Sequence, residues 1–215
     1  MLRGFDEMNE EGPLPPGSIP VVLDIGQMYT SIPTDEGLDA MEESLDERED
    51  KAVPTEFLCR MMLLVLLFNA FEWNKKLYVQ KFGTSTGTKA APNYSGLFCG
   101  RLERKILEAW KNLGRRVQPK YWKRYIDDIF FIWLGTKEEL LEFFRFLNLF
   151  HPTIKFTINF DFETRSVEFL DLRIWISEEG FILTDLYCKP NTKKSYLLPT
   201  SCQPDVTTRM ELLSP

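Results

Sequence analysis

The stretch "YWKRYIDDIFFIW", residues 121–133, sets two adjacent carboxylates, Asp127 and Asp128, inside a run of aromatic and β-branched residues. A carboxylate buried without a partner is costly or titrates to its neutral form, so a side-by-side pair in an apolar run needs compensation. Water at a turn, a basic side chain or a divalent cation would each supply it. Tyr125, Ile126, Ile129, Phe130, Phe131, Ile132 and Trp133 favour strand while Asp-Asp disfavours it. The stretch therefore predicts strand, tight turn, strand, with both carboxylates at the tip of a hairpin. A plain solvated turn fits that local pattern too, and the rest of the chain has to decide.

Upstream of the hairpin the charge is strongly basic. Residues 101–124 hold nine Lys or Arg against Glu103 and Glu108. The whole chain is acidic, at −6, but residues 1–50 carry fourteen Asp or Glu against Arg3 and Arg48, which leaves +6 for residues 51–215. Net charge alone argues against a nucleic-acid partner; its distribution does not, although a solvated helix face would look the same. Four scattered cysteines without a C-x-x-C pair and one histidine, His151, exclude a Cys/His zinc cluster and point to reduced thiols in an intracellular protein, nuclear or cytoplasmic. With that single histidine, in "FHPTIKF", Ser-His-Asp and Cys-His nucleophile systems have no supporting pattern. "FLCRMMLLVLLFNAF" (57–71) is 15 residues long, short of the ~20 a bilayer span requires, and reads as a buried core helix with no membrane partner.

Along the chain, residues 1–18 read as a flexible, acidic and Pro-rich lead-in without signal-peptide character. "IPVVLDI" follows as a short apolar strand ending on Asp24. Thr34 is placed to cap a surface helix whose stripe is Leu38, Met41 and Leu45. "EWNKKLYVQKFG" has the pattern of a hairpin turning at Asn74 and Lys75, and a helix runs beyond Pro92 through Leu97, Leu102, Ile106 and Trp110. Thr136 opens an amphipathic helix, and "TIKFTINFD", "SVEFLDLRIWIS" and "GFILTDLYCKP" read as strands. This order predicts an α+β domain, an antiparallel sheet with helices packed on one face, over residues 19–188, and an irregular tail over 189–215.

If the Asp24 strand lies beside the hairpin, three carboxylates converge at one sheet edge. Their repulsion would be relieved by divalent cations, and oxygen-only ligands select hard Mg²⁺ or Mn²⁺. Two such ions about 4 Å apart support in-line phosphoryl displacement. An actin-like phosphate loop at "VLDIGQMYTS" would require a second Asp-Gly loop downstream, and none is present.

"YIDD" between apolar strands resembles the Y/F-x-D-D hairpin of reverse transcriptases, "VVLDIGQMYTSIP" their first catalytic strand, and "GTSTGTKAAPNYSGLF" the glycine-rich segment between the two. The wording is most similar to Penelope-like retroelements, whose enzymes resemble telomerase. "HPTIKFT", "FLD" and a final "KP" continue that family's order, so the resemblance spans roughly residues 20–204. It implies a polymerase palm: an RNA-directed DNA polymerase domain working with an RNA template, a DNA primer and dNTPs. It implies that Asp24, Asp127 and Asp128 bind two Mg²⁺ or Mn²⁺ ions, with the Ile25 carbonyl as a further ligand. It implies that Tyr29 lies under the sugar and excludes a 2′-hydroxyl, and that Gly87, Thr88 and Lys89 offer backbone to template base and nucleotide. Lys123, Arg124, Arg115 and Arg116 would contact phosphates. Lys155 falls near the place of a proton-donating lysine, although a solvent-facing strand lysine fits as well. The departures are Thr86 before Gly87 and "SCQP" in place of S-C-H-P. The resemblance also implies that fingers, most of a thumb (begun in 189–215) and an endonuclease segment belong to a longer parent. A truncated or co-opted fragment that keeps the fold, and binds nucleic acid without polymerising, is the alternative.

Overall fold

A computed structural model describes residues 2–188, with the side chains of Leu2 and Arg3 excepted; the expected start of a thumb over 189–215 lies outside the described residues. The elements run α1 (Leu2–Glu10), β1 (Ile19–Gly26), α2 (Met28–Ser31), α3 (Thr34–Asp46), α4 (Thr55–Leu67), β2 (Ala70–Trp73) and β3 (Lys76–Val79). There follow α5 (Ala91–Asn112), β4 (Lys120–Tyr125), β5 (Asp128–Trp133), α6 (Lys137–Phe150), β6 (Lys155–Phe160), β7 (Ser166–Phe169), β8 (Leu172–Ile176) and β9 (Ile182–Leu186). The central sheet has the order β4-β5-β1-β6 and its pairings are all antiparallel. The fold is α+β, as the order of sequence signals predicts.

Period-two alternation sorts the central strands onto two faces. Ile19, Val21, Leu23 and Ile25 of β1 and Ile129, Phe131 and Trp133 of β5 enter the larger core, with Phe98, Leu102, Ile106 and Trp110 of α5 and Leu140, Phe143 and Leu147 of α6. Val22, Phe130 and Ile132 point to the other face, which a second antiparallel sheet, β7-β8-β9, covers together with Phe5 and Met8 of α1. Both faces of β5 are therefore buried, which is why "IFFIW" is continuously apolar rather than alternating.

Several expectations change. Within the lead-in read as flexible over 1–18, residues 2–10 have regular structure. They form a helix because Phe5 and Met8 have a sheet face to bury against: Phe5 meets Phe130 edge-on at 5.2 Å, and the Asn9 side chain pairs both ways with the Ile182 backbone at 2.9 Å. α4 is not a buried core helix. Only Met62 and Leu66 are buried, and Phe57, Leu67 and Phe68 are 54, 54 and 77% exposed. Its apolarity all round signalled burial, but among the described residues it packs mainly on α3. Thr34 does not cap α3; Pro33 occupies that position, without a side-chain bond. "SVEFLDLRIWIS" is two strands, folded at Leu170 and Asp171, which have φ of 49° and 62°. Other signals hold. Asn74 and Lys75 (φ 50° and 59°) turn the β2–β3 hairpin, and Thr136 forms a capping box with Glu139.

Candidate functional site at the β1–β5 strand ends

β1 and β5 are direct neighbours, and their register sets Asp24 opposite Asp128. The adjacent pair is joined by a hydrogen bond from the Ile25 N–H to the Asp127 carbonyl, 3.0 Å. Asp24 and Asp128 therefore occupy a position where opposed Cα atoms approach to about 4.5 Å and side chains lie closest. Both stand on the face of Val22 and Phe130, at its margin. Burial raises the Asp24 carboxyl above the ordinary carboxylate range, and the charge of Asp127 raises it further. Strand register thus sets Asp128, and electrostatics Asp127, beside Asp24. Beyond Asp128 a cleft of about 350 Å³ opens, lined by Asn159, Glu168, Leu170, Asp171 and Tyr187 among others.

The groups at the strand ends are carboxylate and carbonyl oxygens, the donor type of hard divalent cations, and the part-buried Asp24 carboxyl, raised by its burial and by Asp127, is one that a cation would relieve. Among the described residues no group of three or more His, Cys, Asp or Glu side chains is placed so that it could hold a metal ion. The Ile25 side chain is buried in the helix-side core, so only its backbone could serve the site.

The turn that presents the aspartates is strained. Tyr125 pairs with Asp128, so Ile126 and Asp127 form a two-residue loop, and Ile126 has φ 55°. Such loops favour glycine where φ is positive, and a β-branched residue there costs about 1–3 kcal/mol.

The Gly87–Lys89 segment lies in the turns leading into α5, with the Thr88 N–H bonded to Ser85 O at 3.1 Å and the Ala91 N–H to Thr88 O at 3.0 Å. A Cβ at Gly87 would meet nothing closer than Ser85 Oγ at 4.0 Å, so the space beside it is open. The demanding glycine is Gly83, which sequence reasoning passed over. Its φ is +69°, and a Cβ there would lie 2.5 Å from the Tyr29 carbonyl oxygen and 2.6 Å from Thr30 Cα. That close crossing lets the Thr84 N–H bond to Tyr29 O at 2.7 Å, tying the glycine-rich loop to the turn after β1. Gly83→Ala is expected to cost about 2 kcal/mol through the positive φ and the backbone clash, measured by urea denaturation. A loss under about 0.5 kcal/mol would show that the two segments part easily. Tyr29 itself is half-buried against the helix-side core.

The predicted phosphate contacts divide. Arg115 pairs with Glu142 of α6 and lies 5.2 Å over the Trp110 ring, so it braces two helices. Arg124 is 15% exposed and pairs with Glu103 at 2.7 Å. Arg116 and Lys123 are exposed and make no ion pair among the described residues. Lys155 does not stand free: its Nζ donates to Asn148 O and His151 O at 2.7 and 2.8 Å, capping the end of α6. His151 is likewise structural, 5% exposed, with Nε2 facing Glu36 at 3.2 Å and Nδ1 accepting from the Ile154 N–H. Burial pushes the Cys99 thiol up to about 12, which removes it as a nucleophile.

No family model matches the chain, and no curated protein matches it. Solved structures do. Telomerase from Candida albicans in complex with a TWJ fragment of telomeric RNA aligns with a TM-score of 0.63 at 9% identity, covering 86% of this chain and 34% of that one. The fold is one found in telomerase. Apo telomerase from Candida tropicalis gives a TM-score of 0.61 at 10% identity, over 86% of this chain and 35% of that one. The form of that enzyme truncated from the C-terminal domain gives 0.57 at 13%, over 86% and 38%. At such identities the likeness is one of fold, and the chain spans little more than a third of those structures. Among the described residues no helix is long and apolar enough to cross a membrane.

Proposed function

We propose that the chain is the palm of an RNA-directed DNA polymerase of Penelope-like retroelement origin, adding dNTPs to a DNA primer on an RNA template. The observation that supports this most is the register pairing Asp24 with Asp128 beside Asp127 at the end of a central antiparallel sheet. Asp24, Asp127 and Asp128, with the Ile25 carbonyl, would hold two Mg²⁺ or Mn²⁺ ions. When bound, the ions would favour the ionised primer 3′-hydroxyl and offset charge on the leaving pyrophosphate. The chain's own residues do the rest. Tyr29 lies beneath the incoming sugar and leaves no room for a 2′-hydroxyl. Gly87, Thr88 and Lys89 line the nascent base pair, where the open space beside Gly87 lets backbone approach closely. Lys123 and Arg116 take phosphate contacts that position the strands without reading sequence.

The test is primer extension on poly(rA) primed with oligo(dT), with this chain alone and with a longer parent carrying the fingers and thumb that the resemblance implies. Incorporation of dTMP that depends on Mg²⁺ or Mn²⁺ is expected from the parent. It should fall at least about a hundredfold, some 2.7 kcal/mol of barrier, in Asp127→Asn. A parent and a fragment that both bind the RNA–DNA hybrid without extending it would favour the co-opted, non-polymerising reading.

A further inference from the structure

Arg124 reads from sequence as a phosphate contact three residues before the aspartate pair, yet its guanidinium is turned inward and its donors are divided among three acceptors. Nε donates to Glu103 Oε1 at 2.7 Å, Nη1 to the Ile126 carbonyl at 3.0 Å, and Nη2 to the Gly96 carbonyl at 3.0 Å. Glu103 and Gly96 lie on α5, and Ile126 is the positive-φ residue of the hairpin turn. The guanidinium carries five donors in a rigid planar fork, so it holds three acceptors spread around its rim in one fixed geometry, which the compact, rotating donors of an ammonium do not impose. The side chains of Arg124 and Glu103 are only 15% and 13% exposed, so the pair lies mostly out of water.

We infer that Arg124 is a positioning residue: with Glu103 and Gly96 O it clamps the strained Ile126–Asp127 turn onto α5, holding Asp127 and Asp128 where the opposing Asp24 strand requires them. This rests on the proposed metal site for its functional meaning, but the clamp itself is a property of the apo chain. The chemistry is that of a fork between a carboxylate and two carbonyls. Those carbonyls belong to the two elements that carry the glycine-rich approach and the aspartate hairpin, so the clamp couples one to the other. The consequence for ligand binding is a direction: Arg124 acts through the aspartates and touches neither template nor nucleotide.

Two measurements on the intact chain test it. Amide exchange at Ile25, whose N–H bonds to Asp127 O across the turn, is expected to speed at least tenfold in Arg124→Met, while amides inside α6 exchange as before. Mn²⁺ affinity, measured by calorimetry on the same variant, is expected to fall about tenfold. Leu102→Ala, a core change on the same helix, should lower overall stability without altering Mn²⁺ affinity. The charge-swapped double variant Arg124→Glu with Glu103→Arg discriminates a clamp from a simple ion pair. A carboxylate at 124 cannot bond the Ile126 and Gly96 carbonyls, so the swap should fail to restore either readout, and restoration would overturn the inference. Unchanged Ile25 exchange in Arg124→Met would overturn it outright. A loosened turn with unchanged Mn²⁺ affinity would overturn its link to the aspartate site. If the wild-type chain itself binds no Mn²⁺ while the turn still loosens in Arg124→Met, the metal reading fails and the clamp stands.

Discussion

Trp133→Ala is expected to bring the domain close to unfolding. Trp133 is fully buried at the end of β5, stacked on Phe143 of α6 at 5.6 Å with the rings 16° apart, and set edge-on to Phe131 at 6.5 Å. Its Nε1 donates to the Thr136 carbonyl at 3.3 Å, at the cap of α6. Truncation removes the transfer energy of an indole, leaves a cavity between sheet and helix, and loosens the cap, for a loss of about 3–5 kcal/mol. A domain of this kind has about 5–15 kcal/mol in all, so the loss is a large fraction of it and corresponds to a drop in Tm of about 10 °C. Circular dichroism on heating and in urea reads the effect. A loss below about 1.5 kcal/mol would mean that α6 does not depend on this stack for its place on the sheet.

Asp24→Asn and Asp127→Asn are expected to cut the response to Mn²⁺ sharply while leaving the fold intact. In wild type, Mn²⁺ should raise Tm, because a ligand that binds only the native state stabilises it by mass action. Either substitution should weaken binding about tenfold or more, which is 1.4 kcal/mol or more. The metal-free Asp24→Asn chain should behave in the opposite sense. The Asp24 carboxyl is raised in the fold above its ordinary 3.8, so its contribution to stability is fully present below that value and lost as pH rises through the higher folded one. At pH 7 the ionised group works against the fold. Asp24→Asn should therefore raise the Tm of the metal-free chain at neutral pH and flatten the pH dependence above about pH 4. A variant whose Tm still climbed with Mn²⁺ as wild type does would remove Asp24 and Asp127 from the site.

Much of this was legible because it is local. The Thr136 capping box, the Asn74-Lys75 turn and the aspartate hairpin each need only a few consecutive residues, and the structure contains all three. Local pattern failed where burial depends on what comes to lie alongside. α4 has the composition of a core helix and an exposed surface, whereas α1, polar enough to look irregular, buries Phe5 and Met8 against a sheet face that no short window foretells. Charge misled for the same reason. Of the basic run upstream of the hairpin, Arg101 is taken by Glu43 of α3, Arg115 by Glu142 and Arg124 by Glu103, so part of its charge braces the molecule. The one sequence sign of the last pairing was Glu103 itself, an acid within a basic stretch.

The sequence by itself determined that the Asp127-Asp128 pair would stand at the turn of a hairpin, that Asp24 would lie in an apolar strand, and that the domain would be α+β, although β1 runs on past Asp24 to Gly26 and Asp128 already belongs to β5. Each follows from side-chain periodicity and turn chemistry within a few residues. Only the tertiary structure decided that β1 lies beside β5 in the register opposing Asp24 to Asp128, because strand pairing is set by contacts more than a hundred residues apart in the chain. It alone also turned Arg124 inward. A guanidinium finds three acceptors only after α5 and the hairpin have packed, and once it has them, facing solvent would leave the buried Glu103 carboxylate unpaired.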